Sequence, residues 1–266
     1  MEHLFQSWQS LSSEIIAASH ILLLSDYDGT LTPIVGRPEE ALLTSNVREQ
    51  LSALAAKPAF NVGIISGRSL SEIQALVGVS GIYYAGNHGL EIEGPGLKFV
   101  SSVARSAQAG IRELAEQLSA RLGNIDGIIV EDKGLSLSVH YRLVKKGEEK
   151  AAARIFDQLT SPWLRNGKIR VTSGKKVWEV RPPIDWHKGK AVEAIMTEMK
   201  TVLGGRQFLT IYLGDDTTDE DAFRVLHRPQ GWSILVGQEN PSSSADYFLN
   251  STSEVEVFLH RLLELK

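Results

Sequence analysis

Ile21-Leu22-Leu23-Leu24-Ser25-Asp26-Tyr27-Asp28-Gly29-Thr30 anchors the reading of this chain. Four apolar residues in a row, without alternation, read as a strand covered on both faces. The run stops at two carboxylates spaced by two. Side-chain direction alternates along a strand, so these two acids point the same way. Unpaired they would repel each other, and a divalent cation or a cationic group between them removes the conflict. Gly29 allows a tight turn or a close backbone approach, and Thr30 can hydrogen-bond an anion. An isolated D-x-D reads equally well as an acidic turn; D-x-D-G-T directly after a strand is far more specific.

The same pattern recurs outward from this stretch. Residues 61–65 end at Ser66-Gly67-Arg68, and residues 82–85 end at Gly86-Asn87-His88-Gly89. Residues 209–213 end at Gly214-Asp215-Asp216, and residues 232–236 end at Gly237. Helical periodicity occupies about 45–56, 69–77, 188–203 and 219–226. Strands alternating with helices predict an α/β fold with a doubly wound, parallel, Rossmann-like sheet. Ligands bind at the C-terminal ends of such strands, so the five polar clusters are expected to converge on one crevice.

The middle of the chain reads differently. Val103, Ala107, Ile111, Leu114 and Leu118 mark a helix over about 103–122. Residues 127–132 and 135–141 form a hairpin around Lys133-Gly134, a helix follows at about 147–159, and residues 168–172 and 176–180 form a second hairpin. This composition predicts a small α+β module inserted into the larger domain. The expected division is core over 1–103 and 183–266 with the insertion at 104–182. The first 20 residues are expected to form a helix packed on the core.

Composition narrows the chemistry. The chain has 266 residues, 42% hydrophobic and 23% charged, enough to build a sizeable core. Its 28 Lys plus Arg against 32 Asp plus Glu give a formal charge of −4, which argues against nucleic acid as a partner. No cysteine is present, which excludes a thiol nucleophile, a zinc ribbon and an iron–sulfur centre. No apolar run is long enough to span a bilayer, and no signal peptide is legible, so the expected location is cytoplasmic.

Three further clusters carry candidate chemistry. Ser66 and Gly67 suit a phosphate oxygen, through a small hydroxyl and flanking N–H groups, although a plain Ser-Gly turn would look the same. Lys188 and Lys190 open a helix whose macrodipole they oppose, which calls for an anionic partner. Residues 215–221 hold five acids in seven positions. Asp215 and Asp216 sit at a strand edge as candidate ligands for a hard cation. Asp219, Glu220 and Asp221 read better as acids of a helix N-terminus.

Taken in order, D-x-D-G-T, S-G-R, K-G (Lys188-Gly189) and G-D-D-x-x-D over residues 26–219 resemble the haloacid-dehalogenase superfamily of aspartate-nucleophile phosphohydrolases. More closely, the chain resembles the trehalose-6-phosphate phosphatases. Gly86-Asn87-His88-Gly89, Glu131-Asp132-Lys133 and residues 136–142, 173–182 and 214–223 extend the likeness across nearly the whole chain. It departs at Trp178, where many members have Leu.

The resemblance implies an inserted α+β cap domain and a Mg²⁺-dependent phosphatase that acts on trehalose 6-phosphate through an aspartyl-phosphate. Asp26 would be the nucleophile and Asp28 the general acid and base. Mg²⁺ would be held by Asp26, the Asp28 main-chain carbonyl, Asp215 and Asp216, the last directly or through water. Ser66, Gly67 and Lys188 would hold phosphate. Glu131, Lys133, Lys176 and Glu179 would grip glucose hydroxyls from the cap, with Arg68, Asn87 and His88 on the core side. The cap would open and close about hinges near 100–106 and 181–185. A trehalose-phosphate synthase is the expected functional partner. Alternatives are a phosphatase of a sucrose-, glucosylglycerol- or mannosylglycerate-type ester, and a non-catalytic sugar-phosphate sensor.

Overall fold

A computed structural model describes residues 1–265. In chain order the elements are β1 (Glu2–His3), α1 (Trp8–Ala17), β2 (Ile21–Ser25), α2 (Ser45–Ala55), β3 (Phe60–Ile65), α3 (Leu70–Val77), β4 (Tyr83–Gly86), β5 (Glu91–Gly94), β6 (Leu97–Val100) and α4 (Ser102–Leu122). They continue as β7 (Ile129–Asp132), β8 (Leu137–His140), α5 (Glu149–Arg165), β9 (Arg170–Gly174), β10 (Val177–Arg181) and α6 (Lys188–Val202). The last are β11 (Leu209–Gly214), α7 (Glu220–Phe223), β12 (Gly231–Val236), β13 (Tyr247–Leu249) and α8 (Thr252–Leu265).

The chain forms two compact units, Met1–Phe99 with Trp186 onward, and Val100–Asp185. The second is a few residues wider at each end than the expected 104–182. At its start the reason is local: the Ser101 hydroxyl caps α4 by accepting the Ala104 N–H, so the helix begins at Ser102.

The first unit is built on a nine-stranded sheet in the order β1-β13-β12-β11-β2-β3-β4-β5-β6. All five apolar runs are strands of this sheet, and β2, β11 and β12 are buried throughout. From β2 the chain order runs one way through β3 and β4 and the other way through β11 and β12, all in parallel, so β2 lies at the switch point. Alternation sorts the side chains between two faces. Leu23, Val62, Ile64, Ile211 and Leu213 pack with Leu51 of α2, Ile73 of α3 and Phe258 of α8. Leu22, Leu24, Tyr83 and Tyr212 pack with Ala191, Ile195 and Met199 of α6. Covering both faces is why these strands read as apolar runs.

Two parts of this unit go beyond the sequence reading. The segment 91–100 adds β5 and β6 to the sheet, β5 antiparallel to β4. Near the N-terminus, β1 joins the opposite edge beside β13 ahead of α1, whose Leu11 and Ile15 enter the core.

The second unit is a four-stranded antiparallel sheet, β7-β8-β10-β9, with α4 and α5 on one face. Leu137, Val139 and Val180 pack against Ile111, Leu114 and Leu118 of α4 and Phe156 of α5. Trp178 faces the same way and stacks on Phe156 and Tyr141 at 4.8 and 4.2 Å, so the residue that departs from the family pattern fills apolar volume. Helix α5 runs past the expected end at 159 to Arg165, and Trp163 in that extra stretch packs on the same core.

Candidate active site

Register brings together the polar clusters that follow β2, β3 and β11. Ser25 pairs with Leu213 on one side and Ile64 on the other, so β2, β11 and β3 end level with one another. Asp26, the residue after β2, is tied down by its N–H, which donates to the Leu213 carbonyl at 2.8 Å. Its side chain is buried, and one oxygen accepts a hydrogen bond from the Lys188 ammonium at 2.7 Å. Lys188 opens α6 and is itself buried; its second partner is Asp219, also at 2.7 Å.

Asp219 ties the cluster together. Oδ1 accepts from Lys188 and from the Tyr212 hydroxyl at 2.6 Å, while Oδ2 accepts the backbone N–H groups of Asp215 and Asp216 at 3.0 and 3.1 Å. Those four bonds use the acceptor sites a carboxylate has. The sequence reading placed Asp219 among the acids of a helix N-terminus. It does precede the single turn of α7, but it is fully buried and serves the site instead. The signal was its place as the closing acid of G-D-D-x-x-D; nothing else local shows which acid of the run turns inward.

Asp26, Asp215 and Asp219 offer carboxylate oxygens that all lie within 4.8 Å of one another. Asp216 turns aside and accepts from the Thr218 N–H and hydroxyl at 2.8 and 2.7 Å. Gly29 has φ +92°, and a Cβ there would meet the Asp215 carboxylate at 2.3 Å, so glycine is what lets the D-x-D-G-T loop approach the acidic loop.

The electrostatics show a shortage of positive charge. Burial raises the Asp26 carboxyl well above the ordinary aspartate range; Lys188 pulls it down, and Asp219, Asp215 and Asp216 push it up again. Burial likewise lifts Asp219 to about 6, against the pull of Lys188. At Asp216 burial is outweighed by Lys188 and the Thr218 hydrogen bonds, which hold it down at about 2. Burial would lower Lys188, but Asp219 and Asp26 raise it well above the usual lysine range. Asp26, Asp216 and Asp219 all draw on the one Lys188 ammonium. Such a donor set suits a hard divalent cation, which takes oxygen ligands and supplies the missing charge.

The Ser66-Gly67-Arg68 turn lies beside the 86–89 turn and is clamped to it. Asn87 N–H donates to the Arg68 carbonyl and His88 N–H to the Ser66 carbonyl, at 2.7 and 2.8 Å. A Cβ on Gly67 would meet the His88 ring at 2.7 Å, so glycine again permits the contact. Ser66, Asn87 and His88 are buried, and Asn87 also donates to Glu91 at 2.8 Å. Arg68 grips Asp28 through two parallel hydrogen bonds of 2.8 Å. Lys190 stands apart, exposed and paired with Glu193.

The second unit gathers its own set. Glu131 pairs with Ser138, which pairs with Glu179, which pairs with Thr172, so one cross-strand row carries both glutamates on the face away from the helices. Glu131 contacts His140 at 2.9 Å and Lys133 at 3.6 Å, and Glu179 bonds Arg181 at 2.5 Å. Lys176 lies outside the row, in the β9–β10 turn with φ +67°; it pairs with Glu149 and sits over the Tyr141 ring.

Comparison with known proteins gives a family. Residues 24–253 match the family model described as trehalose-phosphatase. Probable trehalose-phosphate phosphatase D of Arabidopsis thaliana is 36% identical over 98% of this chain and 75% of its own length. Trehalose-phosphate phosphatase B of the same plant is also 36% identical, over 98% and 72%. In fold, the C-terminal domain of C. albicans trehalose-6-phosphate phosphatase superposes with a TM-score of 0.80 at 24% identity, over 97% of each chain. No helix among the described residues is long and apolar enough to cross a membrane.

Proposed function

The chain belongs to the trehalose-phosphatase family of haloacid-dehalogenase-type phosphoric monoester hydrolases, and on that premise we propose that it converts trehalose 6-phosphate to trehalose and phosphate. One observation carries this: a buried aspartate at a strand's C-terminal end, held by a buried lysine, beside two more carboxylates and level with the Ser66 turn.

In this reading Asp26 attacks phosphorus, the bond to the sugar oxygen breaks, and Asp28 gives that oxygen its proton. Water then attacks the aspartyl-phosphate, its proton passing to Asp28, and phosphate leaves with Asp26 regenerated. Lys188 holds the Asp26 carboxylate oriented and offsets phosphoryl charge, aided by Ser66 and the backbone of Gly67. Asp26, Asp215 and the Asp28 carbonyl would hold Mg²⁺, with Asp216 a direct or water-mediated ligand; Asp219 has no acceptor site left for it. When bound, Mg²⁺ would neutralise phosphoryl charge and orient the ester. Glu131, Glu179, Lys133 and Lys176 are assigned to the glucose hydroxyls, with Asn87 and His88 from the first unit. Residues 104–182 act as the cap in this proposal. Its substrate comes from a synthase-type glycosyl transfer in the same cytoplasmic compartment.

Phosphate release from a panel of sugar phosphates, with Mg²⁺ and with chelator, tests the proposal. Trehalose 6-phosphate should be hydrolysed fastest, and only with Mg²⁺. Faster turnover of a sucrose-, glucosylglycerol- or mannosylglycerate-type ester would move the specificity to that sugar. No turnover of any ester would leave the sensor reading.

A further inference from the structure

Arg68 stands out because its surroundings do not suit the sugar contact expected of it. Its side chain is only 6% exposed, against 42% for Asp28. Nε donates to Asp28 Oδ2 and Nη2 to Asp28 Oδ1, both at 2.8 Å, a planar two-point pairing that fixes the carboxylate's plane. Nη2 also donates to the Pro38 carbonyl at 2.8 Å, and Nη1 donates to Glu72. Four of the five guanidinium N–H groups are therefore committed within the first unit. The Tyr27 ring lies against the guanidinium at 5.6 Å, and the Tyr27 hydroxyl is fastened to the Ala41 carbonyl. Glu72 is fixed in turn on the first turn of α3, where its N–H donates to the Ser69 cap.

We propose that Arg68 is a positioning residue for Asp28, fixing its carboxylate for proton transfer at the leaving oxygen, and that it makes no contact with the sugar. A buried donor with its bonds already made is poorly placed to recognise a ligand. The half-exposed carboxylate it orients keeps a free lone pair on each oxygen. Lysine in its place would keep the charge but lose the two-point geometry.

The inference rests on Asp28 being the proton donor, and leaving-group dependence tests both at once. A sugar alkoxide needs a proton to depart, whereas nitrophenolate departs unaided. First-turnover release of trehalose from trehalose 6-phosphate and of nitrophenol from p-nitrophenyl phosphate would be measured on the same preparations. The ratio of the two rates does not depend on how much of a variant is folded. Arg68→Lys should slow trehalose release about 10- to 100-fold and nitrophenol release far less, as a misoriented acid would. Asp28→Asn should show the same selectivity more strongly, and adding Arg68→Lys to it should cost less than about a further twofold.

Equal slowing of both esters by Arg68→Lys, beside a selective Asp28→Asn, would overturn the Arg68 assignment alone. So would a raised KM for trehalose 6-phosphate with no change in the release rate at saturation, the signature of a sugar contact. Equal slowing of both esters by Asp28→Asn would overturn the role of Asp28, and that of Arg68 with it.

Discussion

The two units carry their polar side chains in opposite ways. In the first, Asp26, Lys188 and Asp219 are sealed from solvent and bonded to one another at 2.7 Å. In the second, Glu131 and Glu179 lie on the sheet face away from the helices, about a fifth exposed, paired with His140, Lys133 and Arg181. The contrast fits the two tasks proposed for them. Moving a phosphoryl group needs fixed charges in a low-dielectric setting, where each is worth more than in water. Gripping a neutral, hydroxyl-rich sugar needs acceptors and donors that can exchange water for ligand.

Substitutions should separate the two regions. The largest effect is expected at Asp26. Asp26→Asn should cut turnover of every ester by about 10⁴-fold or more. Because burial disfavours the native carboxylate, a melt in chelator should show the variant at least as stable as the parent. Activity within tenfold of the parent would remove Asp26 as nucleophile. Lys188→Ala should follow, with about 10³-fold lower kcat on all esters. It should also lose about 3–5 kcal/mol in urea unfolding, since Asp26 and Asp219 would lose their shared counter-charge.

Glu179→Ala sharpens the comparison from the other side. Its kcat/KM for trehalose 6-phosphate should fall about 10- to 100-fold, while p-nitrophenyl phosphate is hydrolysed nearly as before. An equal loss on both would make Glu179 a support of the sheet rather than a sugar ligand.

The smallest effect is on stability against pH. Asp26 and Asp219 have folded pKa values above the unfolded one of 3.8, Asp219 at about 6. Between these values the folded state binds more protons than the unfolded, so metal-free stability falls as pH rises through 4 to 6 and stays lower above it. Bound Mg²⁺ favours the deprotonated acids, so it should raise Tm by a few degrees, about 2–4 °C, more at pH 7.5 than at pH 5. Calorimetry with Mg²⁺ or chelator at the two pH values reads this directly. An equal Mg²⁺ shift at both would disconnect the cation from these acids.

Much of the first unit could be read along the chain because its strands are buried on both faces. Residues 21–24, 209–213 and 232–236 had to be apolar but for the small buried hydroxyls of Thr210 and Ser233, and their ends had to be where polarity resumes. The outer strands β1 and β13 at one side and β5 and β6 at the other are short and partly exposed, so no such constraint marks them. Within the site, the motif residues Asp26, Ser66, Lys188 and Asp215 were legible as types at strand or helix ends. Tyr212 was read only as part of an apolar run, since nothing in the sequence says that its hydroxyl meets a carboxylate on the loop that follows.

Local order along the chain was thus enough for the α/β class, the inserted α+β stretch and the family, because apolar period and motif order are properties of neighbouring residues. Which acid pairs with which base was decided by tertiary structure. Asp28 and Arg68 lie forty positions apart, Asp26 and Lys188 far more, and Glu131 meets Glu179 in one row only across the strand that carries Ser138. Partner choice depends on strand register and on which face each side chain takes. Both are set by packing whole layers together, and no single segment carries that information.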